Sequence, residues 1–240
     1  MPYWEVAIVG AAVAAGCFVQ GGAGLGAALL AAPVVLLVEP DLVPGPLILA
    51  LSTMTIGMTY RNRHHLDLSG LWWAVAGRLP GTALGAVAVA VMPAAGLDIG
   101  FGVMILVLVV ASLTGVHVPP TPSNQLLAGG LSGLSGTATS VGGPPMALLL
   151  QNELGPRLRA NLAAFFAIGT LTSIGGLVAV GEFGLRELRA GALLAIPAMG
   201  GFWISGSVAR FLDAGRTRHA VLVISAASSL VVLGRGLAGL

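Results

Sequence analysis

The sequence predicts an all-α integral membrane protein, because three features of its 240 residues are typical of a chain surrounded by lipid. It is 56% hydrophobic, with a mean hydropathy of +0.96, and only 8% of its residues are charged, whereas a soluble domain carries about 25% charged residues. Long runs contain no charge, such as the one between Asp98 and Glu153. The basic residues are all arginines, and they lie mostly between apolar runs. We therefore expect one membrane unit without a soluble domain.

The first apolar segment, Val6–Val38, is too long and too rich in glycine to be one helix. A continuous helix of this length would measure about 50 Å, against about 30 Å of hydrocarbon. Its centre contains Gln20 and the glycines Gly21, Gly22, Gly24 and Gly26, which disfavour a helix interior. We predict two helical pieces hinged near Gly22, as a hairpin or a re-entrant segment.

A second broken segment, Asn124–Gln151, carries both helix breakers and hydroxyl groups. Pro144 and Pro145 lack amide hydrogens, and Gly142 and Gly143 raise the cost of a helix. Irregular backbone at membrane depth is tolerated only where protein or water satisfies its polar groups. The sequence therefore predicts a polar cavity beside Thr137, Thr139 and Ser140.

Six unbroken apolar segments complete the predicted bundle, giving eight in total with the first and fifth broken. They are Leu42–Tyr60, Ser69–Met92, Ile99–Val116, Ala160–Val180, Ala190–Leu212 and His219–Leu233.

The chain divides into two similar halves, residues 1–116 and 124–240, joined by a proline-rich linker at 117–123. An offset of 116 or 117 residues superposes matching features of the halves. The pairs are Gly24 with Ser140, Gly26 with Gly142, Thr53 with Thr170, Thr55 with Thr172, and Pro80 with Pro197. Interrupted segments at corresponding positions of two halves indicate the binding site of a transporter.

Arginine positions favour an inverted arrangement of these halves. If all eight segments cross, the ten arginines other than Arg78 divide five to five between the two faces. If the broken segments re-enter, each half crosses three times, and the arginines divide seven to three. The second arrangement agrees with the excess of basic residues in cytoplasmic loops.

The broken segments supply the first group of candidate substrate-binding residues. Two half-helix ends meeting near the midplane direct amide donors and partial positive charge into a cavity, which suits an anion. The alternative is helix packing through small residues. The candidates are Gly24, Gly26, Thr137, Thr139, Ser140, Gly142 and Gly143, with Gly22, Pro144 and Pro145 as hinge or gating residues.

Arg78 is the only charge between Asp67 and Asp98, about 13 Å into its segment. An arginine at this depth costs about 2.5–3.5 kcal/mol, so we expect it to face the interior and to contact substrate. A guanidinium offers a planar fork of donors that suits oxyanions. The alternatives are snorkelling, or a structural bond to carbonyls that Pro80 frees.

Threonines at matching depth are the third group of candidates. Thr53 and Thr170 are expected to line the pathway, with back-bonding to the preceding helical turn as the alternative. Pro80 and Pro197 are further hinge candidates. His64 and His65 lie in a loop without an acidic partner, which favours an interfacial role over a pH sensor or metal site.

The residues at the two glycine stretches resemble the TauE/SafE sulfite exporter family of membrane transporters. The similar residues are Gly24–Gly26 with Pro33, Val141–Pro145, and Arg159-Ala160-Asn161 followed by Phe165-Phe166. Ala27 and Ala28 stand where the family usually has glycine. The resemblance implies transport of sulfite, sulfonates or related sulfur anions across the bacterial inner membrane.

The expected function is therefore anion export by alternating access around the two broken segments. Proton-coupled transporters usually carry acidic or histidine residues at depth, and the apolar segments contain none away from their ends. An anion leaving a negative interior gains about 2.3 kcal/mol per charge per 100 mV, so export needs no coupling ion. The alternatives are an uptake permease for a sulfur or carboxylate anion, and a non-transporting scaffold.

We expect neither enzymatic activity nor a cofactor or metal site. Cys17 is the only cysteine, and no convergent catalytic set lies at depth. The expected partners are a small anion and the lipid bilayer, with a homo-oligomer left open. Nucleic acid is excluded, because the arginines form no clustered basic face.

Overall fold

The computed structural model describes residues 2–68, 70–113, 118–150, 155–208 and 214–239, and this part of the chain consists of helices joined by short turns and loops, without a strand. Short 3₁₀ turns at Pro40–Leu42 and Arg63–His65 join some of its helices. The α-helices are α1 (Tyr3–Ala23), α2 (Ala27–Val38), α3 (Gly45–Arg61), α4 (Trp72–Val91), α5 (Ala94–Leu113), α6 (Pro122–Thr139), α7 (Gly143–Leu149), α8 (Gly155–Ala179), α9 (Leu185–Val208) and α10 (Ala214–Ala238).

The first apolar segment is broken into α1 and α2, as its glycines predict. Gly24 ends α1 in the left-handed conformation (φ 97°), and Gly26 precedes α2 with φ 123°. A side chain disfavours both values, so the turn needs glycine. Helix α2 folds back along α1, where Ala27 lies against Gly16.

The fifth segment breaks in the same way between α6 and α7. Ser140 ends α6 in the left-handed conformation (φ 66°), and α7 begins at Gly143, one residue before the paired prolines. The predicted end of this segment, Gln151, lies outside the described residues.

Several helices extend beyond the predicted apolar segments. Helices α8, α9 and α10 each begin five residues before the starts expected at Ala160, Ala190 and His219. The first turns of α8 and α9 carry Arg157 and Arg186, which are both exposed. A long side chain of this kind keeps its charge near the interface while the backbone stays helical. Ser69, and the expected ends Val116 and Leu212, lie outside the described residues, whereas Pro80 and Pro197 stand inside continuous helices.

Small residues bring two helix pairs into backbone contact, and each pair runs parallel. Along α4, Gly77, Gly81 and Gly85 meet the carbonyls of Leu126, Gly130 and Leu134 on α6. Along α9, Pro197, Gly201 and Ser205 meet Gly10, Ala14 and Gly21 on α1. Such close approach allows helices to associate where lipid removes the hydrophobic driving force.

The remaining contacts fix the directions of the other helices. Arg78 of α4 meets Gly169 of α8 and Ala86 meets Gly176, so these two helices are parallel. Gly45 and Gly57, at the ends of α3, meet Phe183 and Phe202, so α3 and α9 are also parallel.

Two helix pairs run antiparallel. Ile48 near the start of α3 shares a buried cluster with Leu177 near the end of α8. Gly102 of α5 meets Ser229 of α10, whereas Ala95 meets Gly236.

Helices α1, α4, α8 and α9 are long and apolar enough to cross a membrane, by length and composition. Large apolar side chains cover their outer surfaces, including Trp203 (73% exposed) and Leu171 (73% exposed). Water would not favour such a surface, but lipid does.

Candidate functional site

A central cavity of about 70 Å³ lies between the two broken segments, with room for several waters or one small anion. The turn between α1 and α2 forms one wall, and the turn between α6 and α7 forms another. Helices α3, α4 and α8 complete the lining. The polar or turn-forming residues of the lining are Gln20, Gly26, Thr55, Arg78, Gly136, Ser140, Gly142, Gly143, Thr170 and Ser173.

Arg78 supplies the only charge among these lining residues, and its side chain is only 4% exposed. Its Nη1 donates to Ser132 Oγ at 2.9 Å, and its guanidinium carbon stands 5.0 Å from the centre of the Phe165 ring. Its Nε has no hydrogen-bond partner in the described part of the chain. A buried charged donor without a partner costs several kcal/mol, which an anion in the cavity would relieve.

Gln20 provides a second donor beside the first turn. Its Oε1 accepts from the amide of Ala27 at 2.9 Å and so closes the turn. Its Nε2 has no partner among the described residues, and the residue lines the cavity. Helix α2 begins here, so its partial positive charge also acts on the cavity.

The second turn is held against α6 by a chain of polar contacts. Ser132 Oγ accepts from Arg78 and donates to the carbonyl of Gly142 at 2.6 Å. Pro144 and Pro145 lack amide hydrogens, whereas Gly142 and Gly143, which precede them, retain their amide donors. Arg78 is therefore linked through Ser132 to the turn between α6 and α7.

The threonine hydroxyls of α3 and α8 donate to their own helices. Thr53 and Thr55 bond to the carbonyls of Ala50 and Ser52, and Thr170 bonds to that of Phe166 at 2.9 Å. The back-bonding alternative therefore describes these side chains, since a hydroxyl has one proton to donate. Thr55 and Thr170 still place an oxygen on the cavity wall.

The structure brings six of the predicted substrate-binding residues into the cavity lining. They are Gly26, Arg78, Ser140, Gly142, Gly143 and Thr170. Gly24 and Thr53 lie beside the lining residues, Thr137 shares a 2.8 Å hydrogen bond with Ser173, and Thr139 lines a different cavity. Their role in binding substrate stays a prediction.

Sequence reasoning did not select Gln20 as a binding residue, although it is the one polar residue within the first charge-free run before the glycines. It also missed Ser132 and Gly169. Ser132 is one hydroxyl among many in its segment, and no local pattern distinguishes Gly169.

A second cavity of about 400 Å³ lies at one end of the bundle, and a hydrogen bond joins its lining to that of the central cavity. Ser140 Oγ donates to the carbonyl of Pro44 at 3.0 Å, Ser140 lining the central cavity and Pro44 the second. We call the second cavity the vestibule. Its lining contains Asp41, Asp98, Glu182, Glu187, Arg186 and Arg235, so acidic groups outnumber basic ones.

Within the described ranges, no three His, Cys, Asp or Glu side chains are grouped so that they could hold a metal ion. The unpaired side-chain donors among the lining residues, Arg78 Nε and Gln20 Nε2, are nitrogens, which suit an anion.

A family model, that of the sulfite exporter TauE/SafE, matches residues 8–232 of the chain. No curated protein and no solved structure matches it.

Proposed function

Because the chain belongs to the TauE/SafE sulfite exporter family, whose members are membrane transporters of sulfur anions, we propose that it exports small sulfur oxyanions across the bacterial inner membrane. The transported class comprises sulfite, small sulfonates and related anions. Transport proceeds by alternating access, with the central cavity as the binding site.

The unpaired Nε of Arg78 carries this proposal. It belongs to a buried, positively charged side chain that lines the cavity between the two broken segments, where Gln20 Nε2 and glycine amides are further donors. A tetrahedral or pyramidal oxyanion satisfies several such donors at once. A non-transporting scaffold gives no reason for an uncompensated charge at this depth.

The helix contacts support an inverted repeat of residues 1–116 and 124–240. Exchanging the halves maps α1, α3, α4 and α5 onto α6, α8, α9 and α10. The parallel pair α1–α9 then becomes α6–α4, and α3–α9 becomes α8–α4. The equivalent pairs α3–α8 and α5–α10 run antiparallel, as an axis in the membrane plane requires.

This arrangement supports a path for export. The starts of α5 and α9 and the end of α10 surround the vestibule, whereas the end of α3 and the start of α8 carry Arg61, Arg63, Arg157 and Arg159 at the opposite face. The rule that cytoplasmic loops are basic assigns that opposite face to the cytoplasm. An anion then moves from a basic face, past Arg78, into a vestibule with excess acidic charge.

Flux measurements in proteoliposomes test the proposal. The panel is sulfite, thiosulfate, taurine, sulfoacetate and chloride, with and without an imposed voltage. We expect outward flux of a sulfur anion that rises when the interior is negative, and loss of at least about tenfold in Arg78→Gln, since a hydrogen bond to a charged group contributes about 1.5–3 kcal/mol. Arg78→Lys should retain part of the flux, and the exposed Arg189→Gln all of it.

Three results would contradict the proposal in separable ways. Unchanged flux in a folded Arg78→Gln variant would contradict the central cavity as the binding site for the transported anion. Accumulation of the anion against the voltage would favour an uptake permease. Absence of flux for every anion would favour a scaffold.

A further inference from the structure

Two arginines lie beside the turn between α1 and α2, on the arginine-rich face of the bundle. Arg61, the last residue of α3, donates from Nη2 to the carbonyl of Gly21 at 2.6 Å. Its guanidinium carbon lies 4.3 Å from the centre of the Phe202 ring. These contacts hold a positive charge next to Gln20, which lines the cavity.

Arg159, in the first turns of α8, approaches the same turn from the other side. Its Cγ lies 3.0 Å from the point that a Cβ on Gly24 would occupy. The side chain is half-buried, yet it has no acidic or hydrogen-bond partner among the residues that the structure describes. By contrast, Arg157, Arg186 and Arg235 each pair with an aspartate.

The two charges are close enough to repel each other. Burial and the charge of Arg159 lower the pKa of Arg61, which lies at the end of its helix. Two like charges with no acid between them are unfavourable, and an anion bound to both removes the repulsion. Each guanidinium presents several donors in a plane, which suits an oxyanion better than a halide.

We propose that Arg61 and Arg159 form a capture site that binds the transported oxyanion at the cytoplasmic mouth before it reaches Arg78. This inference rests on the proposed function for the identity of the anion. Gly21 and Gly24, which the two arginines contact, lie in the chain between the lining residues Gln20 and Leu25. The arginines therefore hold the same turn that forms one wall of the central cavity.

Transport kinetics separate this site from the central one. In Arg159→Gln and in Arg61→Gln, we expect the anion concentration for half-maximal flux to rise about tenfold, with the maximal rate changed by less than about twofold. Rising ionic strength should weaken wild-type transport and affect Arg159→Gln less, because the lost attraction is electrostatic. Arg63→Gln is the control, since Arg63 belongs to the same loop but stacks on exposed Tyr60.

A labelling measurement tests the site without transport. In a Cys17→Ser background, Arg159→Cys should react faster with an anionic thiosulfonate reagent than with a cationic one of similar size. The additional change Arg61→Gln should reduce that ratio several-fold, whereas Arg63→Gln should not.

The outcomes distinguish this inference from the proposed function. The capture site would be overturned if the anion concentration for half-maximal flux were unchanged in both arginine variants. It would also be overturned if Arg61→Gln left the ratio of the two labelling rates unchanged. Absence of wild-type flux would instead overturn the proposed function, and the labelling ratio would still decide whether the site attracts anions.

Discussion

Gly169 determines where Arg78 can place its charge. This glycine lies on α8 opposite the guanidinium, and a Cβ there would overlap Cζ and Nε of Arg78. The arginine therefore occupies space that only a residue without a side chain leaves open. Gly136, whose Cβ would stand 3.2 Å from Nη2, completes the confined space on the α6 side.

Gly169→Ala should therefore impair transport nearly as much as Arg78→Gln, because the guanidinium must move out of the cavity. Overpacking of this kind costs about 1–3 kcal/mol, so we also expect a lower melting temperature in detergent. The measurements are flux and thermal unfolding.

Gly175→Ala on the same helix is the matched control for this substitution. Nothing lies within 4 Å of a Cβ at Gly175, so this variant should keep its flux and its stability. Normal flux in Gly169→Ala would show that the observed position of the guanidinium is not needed.

Arg78 and Gly169 also show what sequence reasoning can find at this scale. A single charge in a long apolar segment is visible in the sequence, and its high insertion cost predicts an interior position. The importance of Gly169 depends on a residue far away in the chain, so one glycine among 36 gives no local sign of it.

At the scale of helices, Arg235 holds three elements together at the vestibule. From α10 it donates to Asp98 of α5 at 2.8 Å and to the carbonyl of Leu36, near the end of α2, at 2.9 Å. The Asp98 side chain is 8% exposed and that of Arg235 is 35% exposed, so the carboxylate of this pair is buried while the guanidinium is partly exposed. Arg186 pairs with Asp41 in the same vestibule, but both of those side chains are exposed.

Arg235→Ala should consequently lower the free energy of unfolding by about 2 kcal/mol or more, since breaking a buried pair leaves an uncompensated charge. Arg186→Ala should change it by less than about 1 kcal/mol, as for most exposed pairs. Thermal unfolding in detergent at two ionic strengths measures both. If the two substitutions lowered the free energy of unfolding equally, burial would not determine how much each ion pair contributes to stability.

The sequence predicts the breaks between helices more accurately than it predicts the residues at which helices begin. The turns at Gly24–Gly26 and Ser140–Gly142 were predictable, since glycine and proline act locally on the backbone. Helices α8, α9 and α10 begin before their predicted starts. An uncharged run begins only after the last arginine of the preceding loop, whereas the helix already includes that arginine.

At the scale of the whole molecule, the sequence predicts an inverted arrangement of two halves, which stays a prediction, but it does not predict the vestibule. Matching residues at a fixed offset and the distribution of arginines indicate repeats directly from the sequence. The vestibule brings together residues from five separate stretches of the chain, among them Asp41, Thr139 and Arg235. No spacing in the sequence connects such residues, so only the folded chain reveals a second cavity beside the first.

The contact between Ser140 and Pro44 should act as the barrier between the two cavities. In a Cys17→Ser background, a membrane-impermeant thiol reagent added on the vestibule side should react with Ala138→Cys at least about ten times faster than with Ala28→Cys, because Ala138 lines the vestibule and Ala28 the central cavity. Adding Ser140→Ala removes a hydrogen bond that contributes about 1 kcal/mol, so labelling of Ala28→Cys should accelerate about fivefold. Leu193→Cys, on the exposed apolar surface of α9, is the control for reagent that enters through lipid. Equal rates at Ala138→Cys and Ala28→Cys without the Ser140 change would show that the central cavity is open to the vestibule, and the alternating-access mechanism would then need a barrier elsewhere.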